Sequence, residues 1–122
     1  MIVTAYVLAG VIAAGIIYIG ITYLLTPEKA AATFGLPVLP AGSTAFFRIK
    51  GDRDVASGLA LGAAMLAGSP QVVGWIVLAE SFAAFSDMLI VLRYRGKRAL
   101  AFGVHGATGL VMVAIALTLV LA

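Results

Sequence analysis

No cysteine occurs in this chain, so disulfides, thiol nucleophiles, CxxC redox pairs and Cys-ligated metals are excluded from any mechanism. Charge is scarce as well: 11% of the residues are charged and 63% are hydrophobic, with a single histidine. A soluble domain of this length buries only about two-thirds of the surface its unfolded chain exposes, which would leave most of the Leu, Val, Ile and Ala side chains facing water. The composition therefore asks for lipid as solvent. The net charge of +3 does not point to nucleic acid, because the eight Lys and Arg fall in two clusters beside apolar runs, where orientation in a membrane accounts for them.

The expected fold is all-α, an integral membrane four-helix bundle formed by one domain, residues 1–122. The first run, Ile2 to Leu25, carries no charge and exceeds the about 20 residues that cross about 30 Å of hydrocarbon. It lacks the basic n-region of a cleaved signal peptide and reads as a retained span. A third run, Gln71 to Leu92, follows the turn signal Gly68-Ser69-Pro70, and a fourth, Ala99 to Ala122, follows Arg93-Tyr94-Arg95-Gly96-Lys97-Arg98. The second span is less obvious. Its uncharged part, Val55 to Ala67, rises only about 20 Å as a helix, so the span must recruit residues from about 46 and carry Lys50, Asp52, Arg53 and Asp54 into the bilayer. Ser43 and Thr44 can cap its start.

With spans at about 2–25, 46–68, 71–92 and 99–122, the first and third loops share one side. All the basic residues lie in or beside them: Lys29, Arg48, Lys50, Arg53, Arg93, Arg95, Lys97 and Arg98. The positive-inside rule places these loops in the cytoplasm and both termini outside, with a bacterial inner (plasma) membrane as the expected, multi-pass location. Tyr6 and Trp75 then fall near the outer interface, Tyr23 and Tyr94 near the inner one. In the first loop, Thr26-Pro27-Glu28 reads as an N-cap, a Pro at N1 and an acidic first turn. It predicts a short interfacial helix to about Phe34, ended by Gly35, and then an apolar flap Leu36-Pro37-Val38-Leu39-Pro40 that cannot continue a helix. Gly58 and Gly62 form a GxxxG match, read first as close packing within the chain and second as the face of a homodimer.

Ionisable groups inside hydrocarbon cost about 2.5–3.5 kcal/mol each on insertion scales. Glu80 falls near the midplane of the third span, with no basic residue in sequence reach. Asp87 follows by seven residues, which sets both carboxyls on one helix face about 10 Å apart, with Ala83 and Ala84 leaving room between them. On the same depth scale Asp54, Asp87 and His105 share one level, Tyr18 reaches nearly the same depth, and Arg53 adjoins Asp54. Convergence of these side chains would build a polar pocket open towards the cytoplasm. Each also has a plainer reading: Arg53 and Asp54 as a structural ion pair, and His105 and Tyr18 as hydrogen-bonded packing residues.

Arg48-Ile49-Lys50-Gly51-Asp52-Arg53-Asp54 followed by Gly58, in a chain of four spans, resembles a family of uncharacterised small membrane proteins. More loosely, it is similar to the DoxX-like four-helix membrane proteins. The resemblance implies the four-helix architecture and the importance of Arg53 and Asp54, and it brings no reaction with it.

Three functions compete. The first is a small intramembrane enzyme performing acid and base chemistry, such as isomerisation, cyclisation or epoxide opening, on a lipophilic small molecule. Glu80 or Asp87 would be the acid, Asp54, held by Arg53, or His105 the base, and Tyr18 an orienting donor. The second is a proton-coupled carrier of lipophilic cations through Glu80, working as a homodimer. The third is a structural or accessory subunit. No cofactor is expected, and no metal, because Glu80, Asp87 and His105 have no recognised ligand spacing. The expected partners are membrane lipid and the lipophilic small molecule.

Overall fold

A computed structural model describes residues 1–37 and 42–122. The protein is all-helical, with no strand among the described residues. Helix α1 runs over Ile2–Leu25, α2 over Pro27–Ala32, α3 over Thr44–Ala67, α4 over Pro70–Arg93 and α5 over Arg98–Val120. Three of these, α1, α4 and α5, are long and apolar enough to cross a membrane, which makes this an integral membrane protein by length and composition. Helix α3 is as long as α1 and α4, but its first half carries Arg48, Lys50, Asp52, Arg53 and Asp54. Four residues of the expected flap and its flank, Val38, Leu39, Pro40 and Ala41, lie outside the described residues.

Local chemistry sets the helix ends. Ser69 stands at the N-cap of α4, where its hydroxyl accepts the Val72 N–H at 3.4 Å, and Pro70 follows it at the first helical position, where its missing N–H forfeits nothing. Thr26 precedes Pro27 and the acidic Glu28 at the start of α2, yet its hydroxyl donates back to the Thr22 carbonyl at 3.1 Å instead of capping forward. Gly35, at φ +110°, supplies the left-handed turn after Phe34. At the end of α4 the Gly96 N–H bonds the Val91 carbonyl at 2.7 Å and the Arg95 N–H bonds that of Leu92 at 3.1 Å. This is a Schellman pair, with Arg95 at φ 57° where a glycine usually sits.

The long helices associate as two pairs, α1 along α3 and α4 along α5, while α3 and α4 meet only sparsely. Lipid tails are as apolar as leucine, so helix association here rests on close van der Waals fit. The stripe Ala5, Ala9 and Ala13 on α1 is buried with Leu61 of α3, and Val73, Val77 and Ala84 of α4 with Met112, Ile115, Ala116 and Leu119 of α5. The tightest crossing is Gly20 against Gly51. A Cβ built on Gly51 would stand 2.6 Å from the Gly20 carbonyl oxygen, and one on Gly20 would stand 2.7 Å from that of Gly51. Gly58 of the GxxxG match packs on Ala13 and Ile17 of α1, whereas Gly62 faces open space. The outward faces carry large apolar side chains such as Val3, Val7, Val11, Leu59, Phe82 and Leu110, as lipid contact requires.

Two interfacial expectations meet different structures. Trp75 and Tyr94 are exposed, but Tyr23 is buried at 4% exposure, and the Tyr6 hydroxyl donates to the Met65 carbonyl at 2.5 Å. Tyr6 thereby satisfies one of the carbonyls left open in the last turn of α3. Arg48 serves the same purpose for α1, donating from Nη1 to the Leu24 carbonyl.

Candidate functional site

The polar interior begins at the end of the bundle that holds the basic residues. Lys50 and Asp54 are one turn apart on α3 and form an ion pair at 2.7 Å, as the i,i+4 spacing permits. The Lys50 ammonium lies over the Tyr23 ring of α1, 4.3 Å from its centroid, and 5.6 Å from that of Phe34. Phe34 follows α2 and also packs on His105, with ring centroids 4.4 Å apart at 44°. His105 Nε2 stands 2.8 Å from the Phe34 carbonyl oxygen, a partner that fixes the Nε2–H tautomer if the carbonyl is to be satisfied. Asp87 of α4 is reached by the fields of Lys50, His105 and Asp54, and the Tyr23 hydroxyl by those of Asp54 and Asp87.

Five elements thus supply one cluster: Tyr23, Phe34, Lys50 with Asp54, Asp87, and His105. The segment after α2 is held over it by a second backbone bond, from the Lys97 N–H to the Gly35 carbonyl at 2.8 Å. His105 reaches Phe34 because residues Ala101–Gly106 of α5 are wound as a π-helix, a local widening that re-aims the side chains on it. Deeper in the bundle, two turns along α4 from Asp87, Glu80 stands across the sparse α3/α4 seam from Ser57. The Glu80 Oε2 atom is buried and has no hydrogen-bond partner.

The structure places the six candidate residues as follows. Asp54, Asp87 and His105 belong to the cluster, and Glu80 lies inward of them. Tyr18 does not join it: at 70% exposure it faces outward from α1, and Tyr23, five residues on, occupies the interior instead. Arg53 is exposed, and the partner of Asp54 is Lys50. Adjacent residues on a helix point about 100° apart and do not face each other, whereas residues four apart do. The signal for Lys50 was therefore that spacing, and Phe34 carried none. Among the described residues, no three His, Asp or Glu side chains gather closely enough to hold a metal ion.

Fold and cluster together define a helical integral membrane protein with a polar interior at one end of the bundle. The chain belongs to the family described as a domain of unknown function, DUF4267, whose model matches residues 13–119. That family is uncharacterised, and nothing in the match ties the chain to the DoxX-like proteins or to the Arg48–Asp54 motif. No curated protein and no solved structure matches the chain.

Proposed function

We propose that the protein is a small intramembrane enzyme that performs acid and base chemistry on a lipophilic small molecule entering through the α3/α4 seam. The observation that carries this reading is Glu80: a buried carboxyl oxygen without a partner, beside the sparsely packed α3/α4 interface. An unsatisfied buried polar atom costs about 1–3 kcal/mol, and a substrate hydroxyl, epoxide or carbonyl group placed there would relieve it. Glu80 is the proton donor in this reading. Asp87 or Asp54 accepts the returning proton, with Asp54 paired to Lys50 and His105 oriented by the Phe34 carbonyl. The expected reactions are isomerisation, cyclisation and epoxide opening.

In the same reading α3 is a fourth span. Its entry is supported by the Lys50–Asp54 pair and by Arg48 satisfying a carbonyl of α1, which lower the cost of charge at that depth. The basic loops face the cytoplasm and both termini lie outside, in a bacterial plasma membrane.

The test is turnover of lipophilic epoxides, sterols and polyprenyl compounds by the protein in nanodiscs. The expected result is conversion that falls about 10²–10⁴-fold in Glu80→Gln and also falls in Asp87→Asn. Conversion that survives both substitutions, or none at all across these classes, overturns the reading. A second reading, a carrier of lipophilic cations, is favoured by the lack of any basic partner at Glu80. It requires cation flux into liposomes driven by a pH gradient and abolished by Glu80→Gln.

A further inference from the structure

A lysine at the cytoplasmic end of a transmembrane helix ordinarily snorkels, sending its ammonium out to the headgroups. Lys50 turns inward. Its ammonium is bounded by the Tyr23 ring from α1, the Phe34 ring from the segment after α2, and the Asp54 carboxylate on its own helix. The field of that ammonium also reaches Asp87 on α4. An ion pair between Lys50 and Asp54 requires only α3. The two aromatic faces come from elsewhere in the chain and add what an organic ammonium receptor needs, π-faces for the charge and its adjoining methylenes and a carboxylate for the N–H groups.

We infer that Tyr23, Phe34 and Asp54 form a binding site for the ammonium head of a lipophilic amine, and that Lys50 is a tethered stand-in for that ligand. The Lys50 side chain is 33% exposed, so it has a way out towards the cytoplasm when a ligand takes its place. From the ammonium position the tail would run along the α3/α4 seam. Glu80 lies two turns along α4 from Asp87, about 10 Å further in, so the group presented to Glu80 would sit at that remove from the nitrogen. This deepens the enzyme reading by naming its substrate class and rests on it only for that last step, because binding is measured without turnover.

The experiment compares dodecylammonium with dodecanol on nanodisc-held protein by native mass spectrometry. Lys50→Met keeps the side-chain bulk and removes the competing charge. It is expected to bind dodecylammonium at least tenfold more tightly than the wild type, with no such gain for dodecanol. Adding Asp54→Asn should abolish the gain. A second arm uses the unaltered protein. Dodecyldimethylammonium, which keeps one N–H and does not react with formaldehyde, should speed reductive methylation of Lys50 severalfold relative to the other lysines. Equal binding of the amine by Lys50→Met and wild type, equal gains for amine and alcohol, or unchanged Lys50 labelling overturns the proposal. If amine binding fails while Glu80-dependent turnover persists, the substrate class falls and the enzyme reading stands. If binding holds and turnover is absent, the site stands and the enzyme reading falls.

Discussion

Changing Gly51 to Ala tests whether the α1–α3 crossing is held by backbone approach. The added Cβ would stand 2.6 Å from the Gly20 carbonyl oxygen and 3.0 Å from the Tyr23 Cβ. A relaxed C···O contact needs about 3.3–3.6 Å, so the helices must part by nearly an ångström. Overpacking of this kind costs about 1–3 kcal/mol. Ala in place of Gly within a helix returns about 0.5–1 kcal/mol, which complicates the absolute change. Gly62→Ala removes that complication, because it makes the same substitution in the same helix where nothing lies within 4 Å. The propensity gain cancels between the two variants. Their difference in stability is then the packing term alone, about 1–3 kcal/mol in favour of Gly62→Ala. Unfolding by SDS in mixed micelles, followed by the fluorescence of the single tryptophan, Trp75, reads that difference. Equal stability of the two variants would refute the close crossing, and with it the placement of Tyr23 against Lys50, since both residues flank it.

Substitutions at two further positions probe the end of the bundle that holds the basic residues. Arg95→Gly should raise stability by about 1–2 kcal/mol, the cost of an L-residue in the left-handed region, while Arg95→Ala should not. Thermal midpoints of the pair check this, and a matching gain in both would assign the effect to lost charge instead. His105→Phe keeps the ring contact with Phe34 but strands the Phe34 carbonyl, costing about 1–3 kcal/mol. Limited proteolysis near Lys29 should then accelerate by at least an order of magnitude, and an unchanged cleavage rate would mean that the imidazole does not hold this segment in place.

Position along a helix was legible in the sequence and azimuth was not. Counting residues along apolar runs put Asp54, Asp87 and His105 at one level, and in the structure Asp87 lies within electrostatic reach of the other two. The same count could not separate Tyr18 from Tyr23: five residues turn a helix by about 140° beyond a full circle, so one faces outward and the other inward. The signals at Pro27, Gly35 and Pro70 were readable because they act through their own backbone. Phe34 was not, since its place depends on bonds from Lys97 and His105, more than sixty residues further along the chain. The unequal packing of the helix pairs was also hidden, because Gly and Ala are spread through every long helix and only Gly20, Gly51, Gly58 and Gly74 meet a facing backbone.

The π-wound stretch Ala101–Gly106 is equivalent to one residue inserted into an otherwise regular coil. It gives the two ends of α5 separate rotational phases. From Ala107 onwards the phase is fixed by the seating of Met112, Ile115, Ala116 and Leu119 against α4, while the preceding turn is free to aim the imidazole at Phe34. Shortening this stretch by one residue between the imidazole and the anchored half, at Gly106, would leave every side chain of the cluster in the chain. The imidazole would nonetheless swing by about 100° and the clasp on Phe34 would open, so in this helix the length of a single turn serves as an orienting device.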